Sequence, residues 1–360
     1  MAELKVGVLG ATGMVGQRFI LLLAGHPWFE VVSVAASPRS AGKTYTEAVS
    51  ARWTQTGQIP PPVADLVVRH VGEIDAIAGE VDFVFSALDM DKEEIQTLEE
   101  AYAKQEVPVA SNNSAHRWTP DVPMLIPEVN ADHIDVIPAQ RNRLGTERGF
   151  VAVKPNCSIQ PYVPAFHALA EYGPTRASVC TYQAISGASK TFETWPEMVD
   201  NVIPFIGGEE DKSIREPLKI WGTVSDGQIV PAGRPVISAQ CIRVPVSDGH
   251  MAAVSVSFDR RPSREEIQER WQAFQGDPRA MGLPSSPTPL ITCYGEEDRP
   301  QTKLDRDVGN GMGITIGRLR EDNLFDYKFV ALSHNTVRGA AGGAILMAEL
   351  LKTQGYIAAR

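Results

Sequence analysis

The sequence predicts an α/β chain of two domains. A parallel-sheet domain spans residues 1–150, and an α+β domain with a mixed, largely antiparallel sheet spans 151–334. Three observations carry this. Apolar strands alternate with amphipathic helices up to about residue 149, the βαβ signature of a parallel sheet. Beyond that point the strand-like runs lengthen and alternate in polarity, as strands with one solvated face do. The 360 residues also exceed what one hydrophobic core ordinarily serves.

In order, residues 5–9 read as a buried strand and 17–24 as a helix stopped by Gly25 and Pro27. Residues 31–36 read as a second strand, and 82–87 and 107–110 as two more around a helix at 92–104. The Gly/Thr/Gln/Pro-rich stretch 38–63 lacks periodicity and is expected to be a long surface excursion near a ligand. A short strand at 150–153 leads to a helix at 159–172. Strands follow at 177–185, 239–246, 250–259 and 324–332. A helix at 263–274 opens on Ser263-Arg264-Glu265-Glu266, a capping-box spacing. The Ala/Gly/Leu-rich run 337–352 reads as a helix able to pack closely, so 335–360 is expected to return and complete the first domain.

With 43% hydrophobic and 22% charged residues and no low-complexity period, disorder and collagen-like architecture are excluded. No apolar run approaches the ~18 residues of a membrane span. A net charge of −10 argues against a nucleic-acid or anionic-membrane partner. The chain enters a strand with no signal-peptide pattern, so a cytoplasmic location is expected. Its cysteines, Cys157, Cys180, Cys241 and Cys293, form no C-x-x-C. No metal site is expected, and the thiols should be free.

Two motifs carry chemistry. Gly10-Ala11-Thr12-Gly13-Met14-Val15-Gly16 joins the first strand to the first helix, a variant of the Rossmann fingerprint. Such a turn brings backbone close to a pyrophosphate at a helix N-terminus. The second strand ends not in Asp or Glu but in Ser37-Pro38-Arg39-Ser40, with Lys43 beyond. Hydroxyls and cations there favour a 2′-phosphate, hence NADP. In Pro155-Asn156-Cys157-Ser158, a thiol sits between a strand and an expected helix start, where the dipole lowers a thiol's pKa and suits a nucleophile. His250 follows the Ser247-Asp248-Gly249 turn and is a candidate base. Arg243, seven residues earlier, could take a carboxylate bidentately.

Together these segments resemble aspartate-semialdehyde dehydrogenases over nearly the whole chain. The resemblance also runs through S-N-N-S-A-H-R at 111–117, Y-Q-A-I-S-G-A-S at 182–189, N-V-I-P-F-I-G-G-E-E-D-K at 201–212 and H-N-T-V-R-G-A-A-G at 334–342. The long 38–63 segment resembles the archaeal and fungal branch. The resemblance implies a Rossmann-type dinucleotide-binding domain followed by a catalytic and dimerisation domain. It implies NADP-dependent interconversion of L-4-aspartyl phosphate and L-aspartate 4-semialdehyde through a cysteine thioester, on the route to lysine, threonine and methionine.

By the same resemblance Cys157 is the nucleophile, His250 the general acid/base, and Gln183 orients the intermediate. Arg243, Gly187 and the pair Glu209-Glu210 bind substrate, with Glu209 favoured for the ammonium because it stands three before Lys212. Arg117, Lys212 and Asn112 hold inorganic phosphate. Gly10, Thr12, Gly13, Met14, Val15, Ser37, Arg39, Ser40, Ser86 and Asn335 hold the cofactor. A homodimer or homotetramer is expected. Plain readings compete: residues 209–212 as a solvated turn, Asn335 as a helix cap, Arg117 as a solvent-facing loop residue. Rival functions on this scaffold are malonyl-CoA reductase, N-acetyl-γ-glutamyl-phosphate reductase and glyceraldehyde-3-phosphate dehydrogenase. A non-catalytic NADP-binding sensor is the rival outside enzymes.

Overall fold

The computed structural model describes residues 4–360 and contains two six-stranded sheets; residues 1–3 of the expected first domain lie outside it. The first sheet comprises β1 (Leu4–Leu9), β2 (Phe29–Ala36), β3 (Arg69–His70), β4 (Phe83–Ser86), β5 (Val109–Ser111) and β6 (Val151–Val153). Its order is β3-β2-β1-β4-β5-β6, parallel throughout. β4, β5 and β6 are buried along their whole length, which is why they read as unbroken apolar runs. The division expected at residue 150 falls just short of this sheet's last strand.

Helices α1 (Met14–Leu23) and α2 (Lys92–Lys104) are the two long crossovers. The 38–63 stretch is not structureless. Thr44 and Glu47 form a capping box that starts a short helix, Tyr45–Val49. The buried Tyr45 hydroxyl donates to Ala11 O at 3.0 Å. From α1, Gln17 Nε2 donates to both Thr12 O and Arg52 O at 3.0 Å. The excursion therefore braces the glycine turn rather than wandering over the surface.

The second sheet contains β7 (Pro174–Gln183), and a separate hairpin is made by β8 (Thr223–Ser225) and β9 (Gln228–Val230). The sheet continues with β10 (Val236–Arg243), β11 (His250–Phe258), β12 (Ile291–Cys293), β13 (Ile314–Glu321) and β14 (Tyr327–Ser333). Its order is β10-β7-β11-β14-β13-β12. β10 and β12 pair parallel to their neighbours, and the other contacts are antiparallel, the mixed character expected. β12 and β13 escape the sequence pattern. A register slip after Gly317, with Arg318 at φ +60°, breaks the alternation of β13.

Three long helices complete the chain: α3 (Glu209–Ile220), α4 (Arg264–Ala273) and α5 (Gly342–Thr353). α4 starts on the expected Ser263/Glu266 capping box. α5 packs Ile345 and Leu346 into one cluster with Val6, Val8, Phe83 and Phe85 of the first sheet. The buried pair His26–Glu349, 2.8 Å apart, pins it there. The helix expected at 159–172 is instead broken. A single 3₁₀ turn, Cys157–Ile159, is followed by Val163–His167 and a second 3₁₀ turn, Ala170–Tyr172. Pro161 and Pro164 lack the N–H that would continue a longer helix. No helix among the described residues is long and apolar enough to cross a membrane.

The glycine turn makes distinct demands. Gly10 has φ +80°, and a Cβ there would sit 2.7 Å from Ala87 C; at Gly16 it would sit 2.7 Å from Ala11 C. At Gly13 only Gly10 O comes near, at 3.5 Å. Gly16→Ala is therefore expected to cost about 2 kcal/mol or more in thermal denaturation, whereas Gly13→Ala should melt close to wild type. Equal melting of the two variants would contradict this packing.

Candidate active site

Strand ends build the site. β7 and β10 run parallel with Gln183 opposite Arg243, so both residues finish at one end of the second sheet. The antiparallel β11 begins at that end with His250, opposite Ser333 of β14. Residues that follow the carboxyl ends of β1, β5 and β6 (Val15, Asn112 and Asn156) line one cleft with Gln183 and Arg243, on the carboxyl side of the parallel sheet where α/β folds bind ligands. The cleft measures about 300 Å³, and its lining includes Cys157, Gln183, Gly187, Glu209, Lys212 and Arg243. Sequence-distant candidates thus converge.

Cys157 lies four residues beyond the end of β6 and is half-buried on the cleft wall. The Asn156 side chain caps its turn, accepting from Ser158 N at 2.8 Å. Behind it a wide turn, Val337–Ala341, interrupts the expected C-terminal helix. A Cβ on Gly339 would lie 2.7 Å from Cys157 Cβ, so only glycine lets the chain pass so close. The dipole of a long helix, expected to acidify the thiol, is not there. Burial and the Glu209 carboxylate push the thiol up, while Lys154, Arg117 and Arg243 pull it down; the net direction is up.

His250 is fully buried behind Gly187. A Cβ on Gly187 would sit 3.0 Å from both His250 Nε2 and Arg243 Nη1, which places those groups side by side. Ala184 N–H donates to His250 Nδ1 at 3.1 Å, so the neutral ring carries its proton on Nε2, which has no partner. Burial and the adjacent Arg243 lower its pKa to about 3. The expected base is therefore presented at rest as a donor.

α3 carries the charged wall. Glu209 is buried, receiving Asn156 Nδ2 at 3.0 Å on both oxygens, Lys212 Nζ at 2.7 Å and Gln183 Nε2 at 3.3 Å. Burial works against its charge, but Lys212 and these bonds prevail and lower its pKa. Glu210, next along the helix, does not line the cleft; only Glu209 of the pair does. The run is a helix, not a solvated turn. Arg117 is likewise buried, held by Glu216 at 2.9 Å and by Lys154 O at 3.1 Å. Asn112 lines the same wall with its buried Oδ1 unpartnered.

Sequence reasoning missed Asn156 and Glu216. The available signal was the helical spacing of Glu209, Lys212 and Glu216, which stacks them on one face of α3.

The glycine turn presents Gly10, Thr12, Gly13 and Met14 above α1, and Val15 reaches the cleft. Ser86 is fully buried at the end of β4, its hydroxyl accepting from Asn113 Nδ2 at 2.9 Å. Asn335 lines the cleft and does not cap a helix. Its Oδ1 accepts from Gly249 N at 2.8 Å and its Nδ2 donates to Ser186 Oγ at 2.9 Å, bracing the loop before His250. Ser37 and Arg39 are exposed beyond β2, away from the cleft. Ser40 is buried, and its hydroxyl accepts from Arg52 Nη2 at 2.6 Å. Among the described residues no group of His, Cys, Asp or Glu could hold a metal ion.

Fold and cleft define a two-domain semialdehyde dehydrogenase. Residues 5–137 match the family model for the semialdehyde dehydrogenase NAD binding domain, and 164–338 match that for the dimerisation domain. The chain belongs to the aspartate-semialdehyde dehydrogenase family. It is 44% identical to the Aspergillus fumigatus aspartate-semialdehyde dehydrogenase, over 98% of each chain. It is also 44% identical to that of Archaeoglobus fulgidus, over 96% of this chain and 97% of the other. The crystal structure of the Candida albicans enzyme with NADP superposes with a TM-score of 0.89 at 40% identity, covering 99% of this chain and 100% of that one.

The His250 environment makes a stability prediction. The depressed pKa keeps the ring neutral when folded, while the unfolded ring takes a proton below about pH 6.5. Its contribution is full above that pH and is lost progressively as pH falls towards 3. Melting wild type and His250→Asn at pH 7 and pH 5 should show the variant losing about 2 kcal/mol less on acidification. Identical losses would contradict a neutral buried ring.

Proposed function

We propose that this chain is a cytoplasmic NADP-dependent aspartate-semialdehyde dehydrogenase, catalysing reversible reductive dephosphorylation of L-4-aspartyl phosphate on the route to lysine, threonine and methionine. The observation that carries this is the flanking of Cys157 by the Arg243 guanidinium and the Glu209 carboxylate in one cleft. These charges match the α-carboxylate and ammonium of an amino-acid substrate. An N-acetylated substrate offers nothing cationic to Glu209, which disfavours N-acetyl-γ-glutamyl-phosphate reductase. Glu210 faces elsewhere and has no part in the reading.

The residues present fit the cofactor. Space outside Gly13 at the α1 N-terminus suits a pyrophosphate, and the exposed Ser37 and Arg39 with no acidic residue suit a 2′-phosphate. Thr12 to Val15 would hold the phosphates, Ser86 would support them from the end of β4, and Asn335 would hold the nicotinamide amide. Ser40, whose hydroxyl accepts from Arg52, keeps its own O–H to donate to that 2′-phosphate. When bound, NADPH supplies the hydride that takes the acyl group to the aldehyde level.

Cys157 attacks the acyl phosphate carbonyl; the C–S bond forms as the bond to phosphate breaks, leaving a thioester. Arg117, Lys212 and Asn112 line the wall where phosphate would depart, the Asn112 amide contributing through its NH2 group. At each tetrahedral stage His250 Nε2–H donates to the oxyanion, a role suited to a neutral buried imidazole. Gln183, tied to Glu209, orients the acyl group. Collapse of the reduced adduct breaks the C–S bond, reforms the carbonyl and returns the thiolate, a good leaving group. A homodimer through the solvated face of the second sheet, where Arg176, Ser178 and Tyr182 of β7 project, completes the reading.

The assay is absorbance at 340 nm with aspartate semialdehyde, phosphate and either NADP or NAD. NADP should be preferred, and omission of phosphate should abolish steady turnover. Arg243→Lys should lower kcat/KM by about 100-fold, because a point charge does not replace a bidentate fork. Glu209→Gln should weaken substrate binding yet lower the Cys157 pKa, since the carboxylate that opposes thiolate formation is gone. Wild-type kcat/KM in Arg243→Lys would refute the carboxylate role.

A further inference from the structure

Helix α2 buries a stripe made by Ile95, Glu99, Tyr102 and Ala103. Three of these are apolar; Glu99 is 0% exposed and is not. A carboxylate in such a stripe is costly unless it is hydrogen-bonded. Its partners are Ser111, at the end of β5, and Asn113 just beyond. Ser111 Oγ donates to Glu99 Oε1 at 2.6 Å, and Asn113 Nδ2 donates to the same oxygen at 3.0 Å. Glu99 Oε2 is buried without a partner.

Asn113 lines the cleft together with Asn112 and Arg117. Its main-chain N–H donates to Ser111 Oγ at 3.0 Å, which closes a ring of three residues. Its Nδ2 also donates to Ser86 Oγ at 2.9 Å. Both amide hydrogens are therefore spent inside the protein. A carboxylate only accepts, so Glu99 fixes which way round the amide sits. The one polar atom of that side chain left to meet a ligand is Oδ1, an acceptor.

Strand order decides which part of the cofactor would meet it. In β3-β2-β1-β4-β5-β6 the glycine turn follows β1, and Ser37 and Arg39 follow β2. With the 2′-phosphate beyond β2 and the pyrophosphate at the glycine turn, the adenosine half lies on the β2 side. The nicotinamide half then falls on the other side of β1, where Ser86 ends β4 and Ser111 ends β5. Its ribose brings hydroxyl donors there. A phosphate brings negatively charged oxygens, which Oδ1 would oppose.

We propose that Asn113 Oδ1 accepts from the nicotinamide-side ribose of NADP, and that Glu99 is the positioning residue that holds this acceptor towards the cleft. The next strand along, β6, leads to Cys157, so a ribose held at the end of β5 would keep its nicotinamide on the thiol's side of the sheet. Glu99 touches no ligand in this arrangement. It acts by spending the amide hydrogens of Asn113 and by anchoring the Ser111 hydroxyl beneath the Asn113 main chain.

The inference rests on NADP occupying this cleft, and the experiment separates the two ideas. Isothermal titration calorimetry of the full chain compares NADP with 2′,5′-ADP, the adenosine half alone, and needs no turnover. Asn113→Ala should raise the NADP Kd by about 5- to 10-fold, the scale of one hydrogen bond, and leave that of 2′,5′-ADP within about 2-fold. Glu99→Met keeps the amide but frees it to turn, so a smaller rise of about 3-fold is expected. Glu99→Gln, whose Oε1 still accepts from both partners, should restore wild-type affinity. Asn113→Ala combined with Glu99→Met should bind NADP as Asn113→Ala alone does, because Glu99 acts through the amide. Asn113 is half-buried on the cleft wall, so its alanine variant carries the test if Glu99→Met does not fold. Wild-type NADP affinity in Asn113→Ala, or equal losses for both ligands, would overturn the proposal while leaving the cofactor in place. A loss confined to inorganic phosphate would overturn it too. A wild-type protein that does not bind NADP would remove the cofactor reading itself.

Discussion

One carboxylate, Glu216, holds the two halves of the site in register. Its Oε1 accepts from Arg117 at 2.9 Å and its Oε2 from Asn156 N at 2.6 Å. Arg117 belongs to the loop beyond β5, Asn156 to the loop carrying Cys157, and Glu216 to the helix that also carries Glu209. All three are buried. Removing one partner of a buried pair typically costs about 3–5 kcal/mol, because the survivor keeps an uncompensated charge. Cys157, Arg117 and Glu209 therefore move together or not at all. Lys219, one turn further along, donates to Arg117 O, Thr119 O and Val122 O, fixing the other end of the same loop.

This arrangement explains how an acidic protein handles anionic substrates. The chain carries a net charge of −10, yet Arg117, Lys212 and Arg243 stand together on the cleft walls against the single carboxylate of Glu209. Charges in a partly desolvated cleft outweigh distant surface charge that is screened within about 8 Å at physiological salt. Two of these cations, Arg117 and Arg243, oppose the desolvation that raises the thiol. In the proposed reaction a substrate ammonium at Glu209 would relieve part of the remaining opposition, and substrate binding and thiol ionisation would then share one carboxylate.

The parallel domain was legible because its signals are local: buried strands, a glycine turn, and a helix over Lys92–Lys104 with the expected bounds. The second domain was legible only where polarity alternates. β13 was missed because a bulge interrupts it, and the helix after Cys157 was overdrawn because two prolines were given too little weight. Within the site, residue identities were legible from the motifs but their states were not. His250 reads as a base in one dimension; its role at rest depends on Ala184 N–H, sixty-six residues away in sequence. The solvated-turn reading of residues 209–212 failed because the sequence gives no hint that Asn156 and Gln183 would bury Glu209. Ser40 is tied to the segment read as loop in a way the pattern does not show, its hydroxyl accepting from Arg52.

The proposed reaction depends on covalent chemistry at one sulfur, that of Cys157. Mixing the enzyme with aspartate semialdehyde and NADP while withholding phosphate leaves the acyl group no exit except slow hydrolysis. Acid quenching followed by peptide mass spectrometry should then find an aspartyl adduct on the peptide bearing Cys157, discharged when phosphate is added before the quench. Cofactor reduction with no adduct at Cys157, or an adduct on Cys180, Cys241 or Cys293 instead, would contradict it.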